Sequence, residues 1–389
     1  MANVKKIREP LFQVSKRTNI PMWKGLLIRV GAILIGLVFC MLLCAIIFKA
    51  NPFAVLGELF SGNFGSERRI WFVLRDTFLL LGVGLALTPA FRMKFWNLGG
   101  NGQILMGCLA AIGCMFNLGG KMPDAVVWLI MIVTSILAGI VWAVIPAIFK
   151  AFFNTNESLF TLMMNYIAVG LVSYCISKWA KNGSGTMGLV SKANFPEIVN
   201  QYLLPIIVIA LLTVFLYIYT KHSKHGFEVD VVGDSTNTAK YIGINVKKVI
   251  IRTLALSGAI CGIVGLLIAG SIDHTISEAS AKNMGFTAIM VAWLAKFNPL
   301  TMIATSFLIS FLSRGMAQVQ TAFGITNNSV SNIIIGIIYF CVIGCEFFIS
   351  YKLKIKKRKK ASLNAGNDFI SSDSVVNEER SSNIIKEEN

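Results

Sequence analysis

Trp96-Asn97-Leu98-Gly99-Gly100-Asn101-Gly102-Gln103 lies between two apolar runs, residues 70–90 and 104–118. Three glycines and three amide side chains at that depth cannot face lipid, because each backbone polar group left unpaired in hydrocarbon costs several kcal/mol. If both flanks cross a membrane, the octapeptide must line a cavity or pack against protein. The flanks therefore decide what it is.

The composition says that they do cross one. Of 389 residues, 55% are hydrophobic and only 14% charged, with a mean hydropathy of +0.68; a soluble domain carries about 25% charged residues. An all-α, polytopic membrane protein follows. Residues 1–24 hold six basic side chains and no apolar core, so no cleavable signal is expected and the first apolar run stays as the first span. The net charge of +17 sits beside apolar runs instead of on a soluble domain, which favours membrane orientation over nucleic-acid binding. All eight cysteines (Cys40, Cys44, Cys108, Cys114, Cys175, Cys261, Cys341, Cys345) fall in apolar runs with no C-x-x-C spacing; they read as small buried hydrophobes.

Apolar windows mark ten candidate spans: residues 26–48, 70–90, 104–118, 125–149, 159–179, 202–219, 249–269, 286–295, 300–312 and 333–348. With the N-terminus inside, the inner connecting segments carry 23 Lys and Arg against six in the outer ones. That bias predicts an even number of spans with both ends cytoplasmic. The third span, about 23 Å long at about 1.5 Å per residue, and the still shorter eighth occupy the same place in two five-span halves. Short, Gly-interrupted segments at corresponding positions predict inverted repeats with a pathway near the midplane; tilted or misjudged spans are the plainer alternative.

Three regions lie outside the spans: a basic N-terminus (1–24), a polar segment at 221–250 inside the membrane domain 25–352, and a C-terminal stretch, 353–389. Within the second, a short cytoplasmic helix is expected from Ser235 or Thr236 onward, as a contact surface for a partner. The third opens in a run with seven basic residues in nine at 352–360. That run is expected on anionic headgroups, and the Ser/Asn/Glu-rich remainder disordered.

Catalytic chemistry is poorly supplied. His222 and His225 stand at i, i+3 without nearby Cys, a weak metal site; His274 is alone. No G-x-x-x-x-G-K-[ST] loop occurs, so ATP hydrolysis by that route is excluded. Arg29, Arg75, Asp76, Glu157 and Glu346 lie near span ends, which argues against a proton-coupled carrier. No enzyme, cofactor or metal is expected. What remains is neutral: Asn97, Asn101, Gln103, Asn165 and Thr161, with Tyr166 nearby. Amides both donate and accept, which suits an uncharged polar solute such as a sugar or nucleoside; interhelical hydrogen bonds are the plainer use.

Residues 96–103 resemble the N-I-G-A-E-G-Q signature of the membrane permeases of bacterial ABC importers for ribose-type sugars and, most closely, nucleosides. N-E-S-L-F-T-L-M-M-N-Y-I-A (156–168) is similar to their N-E-V-I-x-T-L-M-L-N-Y-I-A. V-G-D-S-T-N-T-A-K-Y-I-G-I (232–244) is similar to the V-G-x-N-P-x-A-A-x-Y-x-G-I element that faces the ATPase. G-F-T-A-I-M-V-A-W-L-A-K-F-N-P-L (285–300) is similar to G-F-x-x-I-A-V-A-L-L-A-x-x-N-P. Gly100 and Asn101 replace the usual Ala-Glu, removing a carboxylate.

The resemblance implies a permease working with a second permease (a copy or a relative), cytoplasmic ATPases and an extracytoplasmic solute-binding lipoprotein in a bacterial plasma membrane. It implies a pathway at Asn97, Gln103 and Asn165, with Gly99 and Gly102 permitting the broken backbone, and ATPase coupling through Gly233, Asp234, Ala239, Tyr241 and Gly243. A self-sufficient secondary carrier or channel is the rival reading.

Overall fold

In the computed structural model, the described residues are 12–16, 51–180, 187–324 and 351–355, with scattered helical residues between 31 and 42 and between 333 and 344. The first and tenth expected spans and the stretch 361–389 therefore lie largely outside the described residues. Two compact units divide the chain. One comprises residues 1–29 with 345–389 and holds a two-stranded antiparallel sheet, β1 (Phe12–Lys16) with β2 (Tyr351–Ile355), Phe12 opposite Ile355 and Lys16 opposite Tyr351. It is the one named departure from an all-helical chain among the described residues, and it takes in the first four of the nine residues of the basic run that was expected on headgroups.

The other unit, residues 30–344, is helical. In order come α1 (Pro52–Phe64), α2 (Glu67–Arg92), α3 (Gly100–Leu118), α4 (Asp124–Phe153), α5 (Glu157–Trp179), α6 (Leu203–His222), α7 (Lys224–Asp234), α8 (Thr236–Tyr241), α9 (Val246–Leu267, extended by a π-turn at Ile268–Asp273), α10 (Met284–Leu294) and α11 (Pro299–Ala322). Seven of these, α2 to α6, α9 and α11, are long and apolar enough to cross a membrane; α10 is apolar but spans only 11 residues, about 16 Å. Helix α1 had no counterpart in the sequence reading. The ninth span, expected to be short, is 24 residues long, because its C-terminal half carries polar side chains that the apolar window excluded.

The ends are written in local chemistry. Ser66, Asn156, Ser223, Ser235 and Asn245 each cap a helix by accepting a backbone N–H inside the first turn, which satisfies donors that have no intrahelical partner. Lys94 and Asn154 leave their helices at φ of 59° and 51°, the left-handed conformation that stops a helix.

Span α9 is the axis of the unit: 78% of its most apolar 18-residue stretch is buried, against 22% of that of α4. Its approach to α4 and α3 is steric. A Cβ on Gly258 would sit 2.2 Å from the Gly139 carbonyl oxygen, one on Gly262 2.3 Å from that of Ser135, and one on Gly265 2.3 Å from that of Ile104. With lipid offering no solvophobic drive between helices, such close backbone contact is what holds them. Two further contacts close it: the Ser135 hydroxyl donates to the Gly107 carbonyl, and the Cys108 thiol to that of Gly265. Cys108 and Cys261 are buried, while Cys114 and Cys175 are half-buried.

Candidate translocation site

Helix α2 ends at Arg92, and only residues 93–99 of the following segment are non-helical. Gly100 already begins α3, which makes that span 19 residues instead of the expected 15; the glycines and amides hid its first turn from an apolar window. Gly99, at the start, has no side chain to cap the helix. The cap comes from α5: Asn165 accepts the Gly102 N–H on Oδ1 (2.8 Å) and donates from Nδ2 to the Leu98 carbonyl (2.8 Å). A turn earlier on the same helix, the Thr161 hydroxyl accepts the Leu98 N–H and donates to the Glu157 carbonyl. A Cβ at position 102 would lie 3.0 Å from Asn165 Oδ1 and from the Trp142 indole nitrogen, so any other residue there would have to displace these side chains of α5 and α4 by a few tenths of an ångström.

Asn97 and Gln103 do not face an opening. Both are fully buried and form a circuit with Ser257 of α9. Asn97 Nδ2 donates to Ser257 Oγ (3.2 Å), Ser257 Oγ donates to Gln103 Oε1 (3.5 Å), and Gln103 Nε2 donates to Asn97 Oδ1 (3.4 Å). Asn97 Oδ1 also accepts the Gly99 N–H. These amides hold the broken backbone together. Ser257, which completes the circuit, is an ordinary serine in an apolar run and left no signal in the sequence.

The first turns of α3 and α10 touch. Asn101 Oδ1 accepts the Gly285 N–H of α10 (2.8 Å), and a Cβ on Gly285 would stand 2.5 Å from the Asn101 amide nitrogen. The N-termini of α3 and α10 thus abut, and the positive dipole end of α10 is turned toward the Asn101 amide oxygen. The backbone before α10 is held unusually, with Lys282 and Asn283 both at positive φ.

Cavities open on both sides of this junction. One, of about 270 Å³, is lined by Asn101, Asn165, Tyr166, Phe286 and the loop from Glu278 to Asn283. Another, of about 470 Å³, is lined by Phe91, Arg92, Lys94, Trp96, Asp230, Asp234, Trp293 and Phe297. Trp96 and Asn101, five residues apart, line different cavities, and the chain passes from one cavity wall to the other through residues 97–100, here called the partition.

The second cavity touches the polar segment. The Arg92 guanidinium pairs with Asp230 of α7 at 2.6 Å. Gly233 is packed so closely that a Cβ there would lie 2.1 Å from the Arg92 carbonyl oxygen. Arg252 pairs with Glu228 at 2.8 Å, and His225 lies 3.7 Å from the same carboxylate. The hydrogen bond from Arg252 holds the Glu228 carboxyl below its ordinary value, whereas burial pushes Asp230 up against the opposing pull of Arg92. Ser235 does start a short helix, α8, but α7 before it was not foreseen. Among the residues expected there, Gly233 and Ala239 are buried, while Asp234, Gly243 and Tyr241 (94% exposed) form an open surface; Gly243 sits at φ 83°. No group of three or more metal-ligating side chains occurs among the described residues.

Sequence comparison agrees with this architecture. Residues 70–343 match the family model described as "Branched-chain amino acid transport system / permease component". The chain is 28% identical over 349 residues to the guanosine ABC transporter permease protein NupP of Bacillus subtilis (strain 168), covering 87% of this chain and 98% of that one. It is 28% identical over 348 residues to the nucleoside ABC transporter permease protein NupB of Lactococcus lactis subsp. cremoris, with 85% and 94% covered. It is 26% identical over 364 residues to the glucose ABC transporter permease protein TsgB13 of Haloferax volcanii, with 88% and 93% covered. With its membrane-length helices and this match over most of its length, the chain belongs to the branched-chain amino acid transport system permease family and is a transport component, not an enzyme.

Proposed function

We propose that this chain is the membrane permease of an ABC importer that carries a nucleoside inward across a bacterial plasma membrane. The observation that carries the reading is the partition at residues 97–100. It has a cavity on either side and is fastened at its base to α7 by the Arg92–Asp230 pair and the Gly233 contact. A force applied to the exposed surface of Asp234, Tyr241 and Gly243 reaches the end of α2, five residues before the partition, through these two contacts.

In this reading a cytoplasmic ATPase docks on that surface, a second permease shares the pathway, and an extracytoplasmic binding lipoprotein delivers the solute. Asn97 and Gln103 frame the partition, Gly99 and Gly102 permit its broken backbone, and Asn165 and Asn101 border the amide-lined cavity. Residues 25–352 act as the permease domain in two inverted halves, with 221–250 as its coupling segment. Pairing of β1 with β2 supports both chain ends lying on one side, as the basic bias of the inner segments predicts for the cytoplasmic side. Nucleosides are favoured over sugars by the guanosine and nucleoside relatives; the glucose permease keeps a simple sugar as the second reading.

Uptake of labelled guanosine into vesicles, with and without ATP and the partner subunits, tests this. Uptake that needs all of them is expected. Uptake by this chain alone would mean a self-sufficient carrier, and glucose uptake with guanosine excluded would select the second reading.

A further inference from the structure

The amides put forward as recognition groups are largely spent on the fold. Asn165 uses both its oxygen and its nitrogen, Asn97 does the same, and Asn101 Oδ1 is taken by Gly285. The exposed chemistry beside the partition is aromatic. Trp96 stacks on Trp293 with ring centroids 5.5 Å apart and planes at 25°; Trp293 meets Phe297 edge-on at 5.4 Å; Phe297 stacks on Phe91 at 6.1 Å; and Phe91 meets Trp96 edge-on at 5.9 Å. Four rings from two separate stretches thus close into one circuit. The two indoles remain 44% and 46% exposed although Phe95 and Asn97, on either side of Trp96, are buried.

These rings wall the cavity of about 470 Å³, a size usual for small-molecule sites. Its polar rim has two basic side chains, Arg92 and Lys94, and two acidic ones, Asp230 and Asp234. The rim is therefore balanced in charge and gives no advantage to an anion such as a nucleotide. Flat, exposed indole faces with a neutral rim suit the π-face of an uncharged heteroaromatic base.

Resting on the reading of this chain as a nucleoside permease, we propose that Phe91, Trp96, Trp293 and Phe297 form a stacking subsite. It receives the base of the solute on the α7 side of the partition, and it discriminates a nucleoside from a free sugar. A base enters by stacking on the exposed indole faces, and Arg92, bonded to α7, ties the position of this wall to the coupling segment.

The test uses the assembled transporter in proteoliposomes, with guanosine and ribose as probes. Base–aromatic stacking lost on substitution corresponds to about fivefold to 150-fold, or about 1–3 kcal/mol. Trp96→Leu and Trp293→Leu are expected to lower guanosine uptake at least about fivefold, with Trp96→Phe and Trp293→Phe restoring most of it. Capture of guanosine by the binding protein stays unchanged throughout. Because a leucine variant can fail to assemble, wild-type transporter is also photolabelled with 8-azidoguanosine. Label on peptides spanning 91–97 or 293–297, displaced by excess guanosine and not by ribose, supports the subsite. Leucine variants that assemble and import guanosine at the wild-type rate, or label confined to other peptides, would overturn it. If wild-type transporter imports ribose and no nucleoside, the functional reading falls and this inference falls with it; import of guanosine with indifferent rings removes this inference alone.

Discussion

Gly233→Ala tests whether α7 moves the partition. The added Cβ would lie 2.1 Å from the Arg92 carbonyl oxygen and 3.2 Å from Met93 Cα. Carbon and carbonyl oxygen pack at about 3.3 Å, so α7 must withdraw by about 1 Å, and both neighbours are backbone that cannot rotate aside. The Arg92–Asp230 bond, now 2.6 Å, would stretch past hydrogen-bonding range. Overpacking costs about 1–3 kcal/mol, and loss of a partly exposed ion pair about 0.2–1 kcal/mol. The better helix propensity of alanine returns about 1 kcal/mol. The net is about 0.2–3 kcal/mol against docking, a shift of about 1.4-fold to 150-fold. Guanosine uptake and ATP hydrolysis by the assembled transporter should separate: uptake falls by at least that lower factor while hydrolysis continues. Gly170→Ala, at a helical position with nothing within 4 Å, is the control and should be neutral or stabilising. Wild-type uptake in a well-assembled Gly233→Ala transporter would refute coupling through this contact.

Other expectations follow from the same geometry. Asn165→Ala strands the Gly102 N–H and the Leu98 carbonyl, so thermal or denaturant unfolding in detergent should show a loss of about 2–4 kcal/mol; less than 1 kcal/mol would mean that the α3 start is capped by something else. Gly262→Ala puts a methyl 2.3 Å from the Ser135 carbonyl oxygen, and folded yield should collapse where Gly170→Ala leaves it intact. Gly243→Trp meets open space within this chain at a strained φ of 83°. Transport should be abolished with solute capture by the binding protein unaffected, and loss of capture would place Gly243 elsewhere. The lowered Glu228 carboxyl contributes stability present above its ordinary value of 4.5 and lost only as pH falls through the depressed folded value. Asp230 carries the opposite sign: its raised folded value favours the protonated form, a contribution present below 3.8 and lost as pH rises through that raised value. Hydrogen exchange of residues 224–234, corrected for intrinsic rate, should therefore keep its Glu228-dependent protection from pH 7 to 5. Loss of protection in wild type over that range that Glu228→Gln does not share would contradict it.

Much of this molecule was legible before any coordinates. Residues 70–90 and 159–179 read as spans because apolar stretches of that length have no alternative to helix in lipid. The cap at Ser235 was readable because a hydroxyl before a helix competes for its own backbone. The eighth segment was recognised as short for the same reason that it is short: eleven residues cannot cross the membrane. Helix α1 and the C-terminal half of α11 were missed because their polar side chains face neighbours, as when Asn63 donates to the Phe311 carbonyl, and hydropathy cannot distinguish such a site from water.

The amides Asn97 and Gln103 were legible as unusual but not as buried. Their roles depend on Ser257, some 150 residues away, and on Gly258, Gly262 and Gly265 bringing α9 close enough to reach them. Composition and local chemistry by themselves determined that the chain is helical, that it lives in a membrane, and where most helices start and stop, since these depend on residues within one turn of each other. Only the tertiary structure decided which polar groups are spent inside the partition and which surfaces are left for a solute. Hydrogen bonds and steric approach between distant helices are settled by atoms that no stretch of sequence contains together.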